Sequence, residues 1–446
     1  MQTTTSAHFG FSGLGLAPKL LEILADKGFV QPTPIQSQAI PVAIAGKDVM
    51  GIAQTGTGKT LAFGLPMLQS IARSKQTGLV VLPTRELALQ VNDSLKNIGQ
   101  SLGLKTAVLI GGESMNRQLA SLRKNPHVII ATPGRLIDHL QQQTASLKRT
   151  GVLVLDEADR MLDMGFAPQL KTILTHVPKE RQTMLFSATM PGEIVALANS
   201  YMRLPVRVEV APAGTTASQV SQEIVFVDKM QKLAELQRLL KEHNGSTLVF
   251  TRTKFGAKKI ARALARSGET AAELHSNRSL NQRLEALDGF KVGRYRVLVA
   301  TDIAARGIDV TGIELVVNYD LPENPADYVH RIGRTGRAGR AGMAISFATP
   351  DQKRDVRDIE RLIKKQLPAR QAAALPAAAE PAYEAIQAAS PRREPARNGR
   401  NNAFRSRRGP APKNRPARGH SHSAAAGYRG SFLSRNPSLD RSRGWD

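Results

Sequence analysis

The 446-residue chain has no cysteine, a single tryptophan and only 4% aromatic residues. Without thiols it can form no disulfide, no thiolate metal site and no cysteine nucleophile. Its nine histidines are scattered without ligand spacing, so no structural metal is assigned. Long apolar runs are missing too: none approaches the roughly eighteen residues of a membrane span. The opening Met1-Gln-Thr-Thr-Thr-Ser-Ala-His has no apolar signal core. These absences lead us to expect a soluble, cytoplasmic protein with no membrane partner. Acidic residues are few, 37 Asp and Glu against 62 Lys and Arg, for a net charge of +25 and a pI near 10.6. Such a balance favours a polyanionic partner, either nucleic acid or an anionic surface. The length suffices for two full domains and additional segments.

What is present is more specific. Ala53-Gln54-Thr55-Gly56-Thr57-Gly58-Lys59-Thr60 follows an apolar run, Asp48-Val-Met-Gly-Ile-Ala53, that reads as a buried strand. Gly56 and Gly58 let the backbone turn its N–H groups toward phosphates, and a helix is predicted from about Leu61 with its N-terminus toward the same anions. Lys59 is expected to neutralise β- and γ-phosphate oxygens, and the Thr60 hydroxyl to ligate Mg²⁺. The general phosphate-loop pattern has Gly where this chain has Ala53. A second apolar run, Gly151-Val-Leu-Val-Leu155, ends at Asp156-Glu157-Ala158-Asp159. Carboxylates at the carboxyl end of a doubly buried strand stand where open α/β sheets bind ligands. Asp156 is expected to hold magnesium through water, and Glu157 to orient or deprotonate the attacking water. The alternative, that these carboxylates only cap the next helix, is weakened by the phosphate loop in the same chain.

Strand candidates at Val49–Ala53, Leu79–Leu82, Ala107–Ile110, Val128–Ala131, Val152–Leu155 and Met184–Phe186 alternate with helical patterns, as in a doubly wound parallel sheet. After a polar stretch at 211–220 that reads as a linker, the pattern restarts. Its strands are expected at Ile224–Val227, Leu248–Phe250, Val297–Ala300, Leu315–Asn318 and Ala344–Phe347, with helices at Met230–His243 and Lys254–Arg266. The fold class is therefore α/β, with two tandem doubly wound domains at 1–210 and 221–367. Only the first has a Gly-Lys-Thr loop, so one ATP per chain is expected. In the second, Arg331, Arg334 and Arg337 recur every three residues among glycines and suggest a converging basic cluster able to reach a γ-phosphoryl group in cis. The alternative is a solvated basic loop.

From about Phe9 to Leu367 these motifs together resemble a DEAD-box ATP-dependent RNA helicase, most closely the bacterial RhlE-like subfamily, with two RecA-like domains. The segment 9–37, containing Phe11 and Gly28-Phe29-Val-Gln-Pro-Thr-Pro-Ile-Gln36, resembles the family's Q motif. The resemblance implies that Gln36 reads adenine while Phe11 and Phe29 pack near the base. It implies that Ser187 and Thr189 of Ser187-Ala-Thr189, with Asp159 and His330, couple hydrolysis to strand separation. It assigns RNA-backbone contacts to Pro83, Arg85, Gly112, Thr132 and Arg135 in the first domain, and to Arg252, Gln282, Arg283 and Thr301 in the second. Asp309 corresponds to the ribose contact, and Arg334 and Arg337 to arginine fingers. His275-Ser276 departs from the usual His-Gly of RhlE-like chains.

Phosphate and sugar contacts from such residues imply low sequence specificity, and two domains sharing one ATP imply closure coupled to RNA. The resemblance further implies local melting of short duplexes, with ribosome-assembly or RNA-decay partners possible. A nucleotide-gated RNA clamp or assembly scaffold is the alternative, and a DNA translocase a third reading. The segment 368–446 turns Ala/Pro-rich and then Arg/Gly/Asn/Ser-rich. Residues 369–446 hold fifteen Arg or Lys against five Asp or Glu, and Phe404, Tyr428, Phe432 and Trp445 interleave with the arginines. Disorder and an RNA-tethering role are expected there, against a merely solubilising tail.

Overall fold

The computed structural model describes residues 10–54, 56–210, 220–305, 310, 312–336 and 341–372. Seven strands form the first sheet: β1 (Val49–Ile52), β2 (Thr77–Val81), β3 (Thr106–Leu109), β4 (Val128–Ala131), β5 (Thr150–Leu155), β6 (Gln182–Ser187) and β7 (Val206–Glu209). Seven more form the second: β8 (Val220–Phe226), β9 (Thr247–Phe250), β10 (Ala271–Leu274), β11 (Val297–Ala300), β12 (Leu315–Asn318), β13 (Gly342–Ala348) and β14 (Ala369–Gln371). The spatial orders are β3-β4-β2-β5-β6-β1-β7 and β10-β11-β9-β12-β13-β8-β14. The second sheet repeats the first strand for strand. Pairing is parallel throughout both sheets. These are the two doubly wound RecA-like sheets expected.

Central strands such as β4, β5, β9 and β12 are buried at every position. Helices cover both faces of a parallel sheet, which is why these segments read as unbroken apolar runs. Three strands escape sequence reading: β7, β10 and β14. All lie at sheet edges and mix exposed or half-buried positions with few buried ones, so neither alternation nor an apolar run marks them.

Several boundaries move. The helix after the phosphate loop starts at Lys59, not Leu61, with Gly58 at its N-cap in the left-handed region (φ 91°). The helix expected over Met230–His243 spans Lys232–Glu242. Val220 opens β8 and does not belong to a linker; 211–219 lie outside the described residues. The second domain does not stop at Leu367. Ala369–Gln371 pairs with β8, and Arg370 forms ion pairs with Glu223 (2.6 Å) and Glu235 (3.0 Å). The rest of the segment read as a tail, from 373 onward, is outside the described residues.

Phe63 and Phe186 pack at 5.6 Å between ring centroids inside the first domain. Leu280, at the start of the helix Leu280–Lys291 of the second domain, is buried in the same cluster, with Leu284 packed against it. Apolar contact therefore helps to join the two sheets' domains.

Candidate nucleotide and RNA site

Strand order places the nucleotide motifs together. β5, β6 and β1 are neighbours, and from their carboxyl ends emerge Asp156, Ser187 and the phosphate loop. The Ala53 N–H donates to the Ser187 carbonyl (3.0 Å), and Ala53 is buried in the core, a position that accommodates a methyl group. Thr57 Oγ1 donates to the Gln54 carbonyl (2.7 Å), closing the loop. A Cβ on Gly58 would overlap the Gln36 amide and the Thr33 hydroxyl, so glycine is required there on steric as well as backbone grounds. Thr55 lies outside the described residues.

A cavity of about 610 Å³ opens here, lined among others by Phe29, Gly56, Gly58, Lys59, Thr60 and Glu157. Phe29 lines it. Phe11 does not; it is buried in the first-domain core. The Gln36 amide, expected on adenine, is held by the protein: Oε1 accepts from Thr33 N–H (2.9 Å) and Nε2 donates to the Gly58 carbonyl (3.0 Å). In this state it braces the phosphate loop.

Lys59 Nζ is buried, 3.6 Å from Asp156 Oδ1, with no hydrogen-bond partner. Burial, only partly offset by Lys59, pushes the Asp156 carboxyl up to about 6. Glu157 is also buried, which by itself would raise its carboxyl. The Arg160, Lys59 and Arg334 charges more than reverse this and hold it at about 2. Glu157 adopts a left-handed backbone conformation (φ 52°, ψ 50°) at the N-cap of the short helix Ala158–Asp163, strain that a β-carbon-bearing residue accepts where its surroundings enforce it. Asp159 binds a different partner set. Its Oδ2 accepts from Thr189 Oγ1 (2.8 Å), Thr189 N–H (2.9 Å) and Ala188 N–H (3.2 Å), while its own N–H donates to Ser187 Oγ (3.2 Å). Asp159, Ser187 and Thr189 thus form one hydrogen-bonded unit.

From the second domain, Arg334 is buried and its charge acts on Glu157. His330 is pushed down to about 4, first by burial and then by the Arg160 charge, so it faces the acidic box as a neutral ring. Arg331 does not join this cluster. It binds Asp302 through Nε (2.5 Å) and Nη2 (2.6 Å), donates to the Asp320 carbonyl (2.6 Å) and stacks over Phe250 (5.1 Å). Its place on the helix Pro325–Ile332 turns it into the second domain, away from its neighbour three residues on. Arg337 and Asp309 are outside the described residues.

Residues 33–197 match the DEAD/DEAH box helicase family model, and residues 228–339 match the helicase conserved C-terminal domain. The chain belongs to the DEAD-box RNA helicase family. It is 43% identical over 360 residues to the DEAD-box ATP-dependent RNA helicase CshA of Bacillus subtilis, covering 80% of this chain and 73% of that one. CshA of Geobacillus kaustophilus is equally similar, at 43% over 360 residues, 80% of this chain and 77% of its own. Among solved structures, S. cerevisiae Dbp5 bound to RNA and ADP BeF3 superposes with a TM-score of 0.75 at 30% identity, over 82% of this chain and 96% of that one. Mss116p bound to ssRNA and AMP-PNP gives 0.77 at 28%, over 84% and 82%.

In this helicase the residues assigned to RNA emerge from the other half of each sheet. Pro83, Gly112 and Thr132 follow the neighbours β2, β3 and β4; Arg252 and Thr301 follow the neighbours β9 and β11. A Cβ on Gly112 (φ 79°) would collide with the Arg85 guanidinium, which lies across that loop. Arg135 Nη1 donates to the Glu113 carbonyl (3.0 Å), and Arg252 Nε lies 3.8 Å from Glu323. Two further assigned residues also have protein partners. Gln282 Oε1 accepts from Ser279 N–H (3.1 Å) in a capping box, and Arg283 bridges to Glu86 of the first domain (2.7 Å), both side chains largely buried. Ser276 is exposed in a turn where Arg278 N–H donates to the His275 carbonyl (3.0 Å), and nothing there explains the departure from Gly.

Sequence reading missed Arg160, which meets Glu157 at 3.4 Å. It also missed Glu86, and the buried chain in which Gln118 Nε2 donates to the Ile110 carbonyl (2.9 Å) while its Oε1 meets His139 Nε2 (3.1 Å). Arg160 is a near neighbour of Glu157 in sequence, whereas Glu86 and the Gln118–His139 pair act through partners that no spacing rule connects.

Proposed function

We propose that the chain couples ATP hydrolysis to local RNA unwinding by closing its two domains around nucleotide and single-stranded RNA. The observation that carries this reading is that Arg334 and His330 of one domain act on Glu157 and Asp159 of the other. A buried ammonium at Lys59 without a hydrogen-bond partner, next to a carboxyl raised to about 6, fits a site for phosphates and a divalent cation. Mg²⁺ would be held by Thr60 and, through water, Asp156, and would neutralise phosphate charge. Lys59 contacts phosphate oxygens, Glu157 orients the attacking water, and Arg334 with Arg337 supports the transferring phosphoryl group. Gln36 exchanges its loop contacts for the adenine edge, and Asp309 binds ribose. The Asp159–Ser187–Thr189 unit passes closure to the RNA half, where Pro83, Arg85, Gly112, Thr132, Arg135, Arg252 and Thr301 bind backbone, with Gln282 and Arg283 at the domain junction.

The substrates we propose are structured RNAs such as ribosome precursors or decay intermediates, in the cytoplasm; among the described residues no helix is long and apolar enough to cross a membrane. The placement with RhlE-like members rests on motif resemblance, while the relatives named above are CshA. A nucleotide-gated RNA clamp draws support from Glu157 itself, since the cations around it hold its carboxyl below the ordinary range and weaken it as a base. ATPase measured with RNA or DNA as activator, together with strand displacement, tests these readings. RNA-specific stimulation with displacement is expected; stimulation without displacement supports the clamp, and equal stimulation by DNA overturns RNA specificity.

A further inference from the structure

A groove of about 410 Å³ runs along the second domain between the helices Lys254–Arg266 and Leu280–Lys291, over the edge strand β10. Its floor is small and apolar, from Ala271 and Ala272; Lys258 and Arg262 stand on one wall and Gln282 on the other. The first helix carries Lys254, Lys258, Lys259, Arg262 and Arg266 and no acidic residue. Lys258, Arg262 and Arg266 succeed one another at intervals of four, a like-charge row that weakens an isolated helix. Among the described residues neither Lys258 nor Arg262 has an ion-pair partner, and both are exposed. The carboxylates of the groove do not offset this charge, because each has its own cation. Glu273 binds Arg278 (2.8 Å), and Glu285 binds Arg294 (3.1 Å) and the Tyr295 hydroxyl (2.8 Å).

The groove also has a direction. Gln282 and Arg278 stand at its end nearest the carboxyl ends of β10, β11 and β9, where Thr301 and Arg252 emerge. A polyanionic strand leaving that edge meets the groove next, and β10, as a sheet edge floored with alanine, allows close approach.

We infer that this groove is an accessory RNA-backbone site, in which Lys258 and Arg262 bind phosphates of the strand leaving the core. The inference rests on the RNA reading of the carboxyl edge. Its role is to lengthen the RNA footprint, and its chemistry is point-charge binding of phosphodiesters without base readout.

The test uses the full chain with Lys258→Gln and Arg262→Gln together, glutamine keeping the helix. Binding of a short and a long single-stranded RNA is measured by anisotropy with a non-hydrolysable ATP analogue across a salt series. On the long RNA, affinity should fall about three- to tenfold, and the salt slope by about 1.4, or 0.7 for each of two phosphates. Short-RNA and ATP affinities should match wild type. The charge-keeping pair Lys258→Arg with Arg262→Lys should bind the long RNA like wild type, which separates charge from folding. Unchanged long-RNA affinity and slope would overturn the site and leave the groove for an acidic peptide or solvent. Equal losses on both RNAs would also overturn it, by assigning these residues to the core. Failure of wild type to bind either RNA would instead defeat the underlying RNA reading.

Discussion

At the scale of single residues, the nucleotide site is a set of charges that determine one another's state. Glu157 is buried yet ionised because three cations, one from the other domain, converge on it. Glu157→Gln keeps its shape and removes the charge, so turnover should drop about 10²–10⁴-fold while ATP and RNA binding persist, as read by single-turnover hydrolysis and equilibrium binding. Arg334→Lys replaces a planar fork by a point charge. It should lower kcat by about 10³-fold with a much smaller change in nucleotide affinity, and steady-state kinetics separate the two. Gln36 supports the Gly58 carbonyl in the structure and is assigned to adenine in the bound state. Gln36→Ala should therefore weaken ATP by about tenfold, or ~1.4 kcal/mol, and GTP by less. Equal losses in titrations with the two nucleotides would confine this residue to bracing the loop.

At the scale of elements, the helix Pro325–Ile332 faces the acidic box across the domain junction. His330 is held at about 4 by burial and by Arg160, with further lowering from Arg334 and opposing contributions from Asp159 and Asp327. The closed arrangement therefore binds fewer protons than a form that exposes this ring. Its contribution to closure is full above the ordinary histidine value near 6.5 and is lost as pH falls toward 4. Interdomain distance followed by energy transfer with RNA and an ATP analogue should report opening over that window. His330→Gln should flatten the wild-type dependence, and an identical profile in the variant would place the titration on another group. The Asp159–Thr189 bonds and the Glu86–Arg283 bridge each tie a loop or helix end to a partner far away in the chain.

At the scale of the whole molecule, the strongly positive chain combines a two-sheet core with a basic segment beyond it. The second sheet extends past Leu367, because β14 pairs with β8 and Arg370 supplies a guanidinium to the buried Glu235. Truncation after Ala372 should leave ATP turnover at saturating RNA nearly unchanged. Apparent RNA affinity at low salt should fall roughly ten- to a hundredfold and the salt slope should flatten, since tethered cations and their released counterions are gone. Identical binding curves before and after truncation would reduce that segment to a solubilising role. Truncation after Leu367 should lower the melting temperature further by opening the edge of β8.

The chemistry of the phosphate loop and acidic box was legible in the sequence because each is a local run on a strand buried on both faces, where residue type and spacing carry the message. The same holds for the central strands and for the helix Lys254–Arg266, whose observed bounds coincide with those expected. Three of the four edge strands were not legible, since half-exposed β7, β10 and β14 acquire their structure from a neighbour's backbone. Nor could spacing tell Arg331 from Arg334: both lie among the same glycines, and only the orientation of one helix end sends the first to Asp302 and the second toward Glu157. The sequence by itself determined which groups can bind phosphate and ionise. Tertiary structure decided which of them meet, because strand order brings distant carboxyl ends together and burial sets the charge each group holds there.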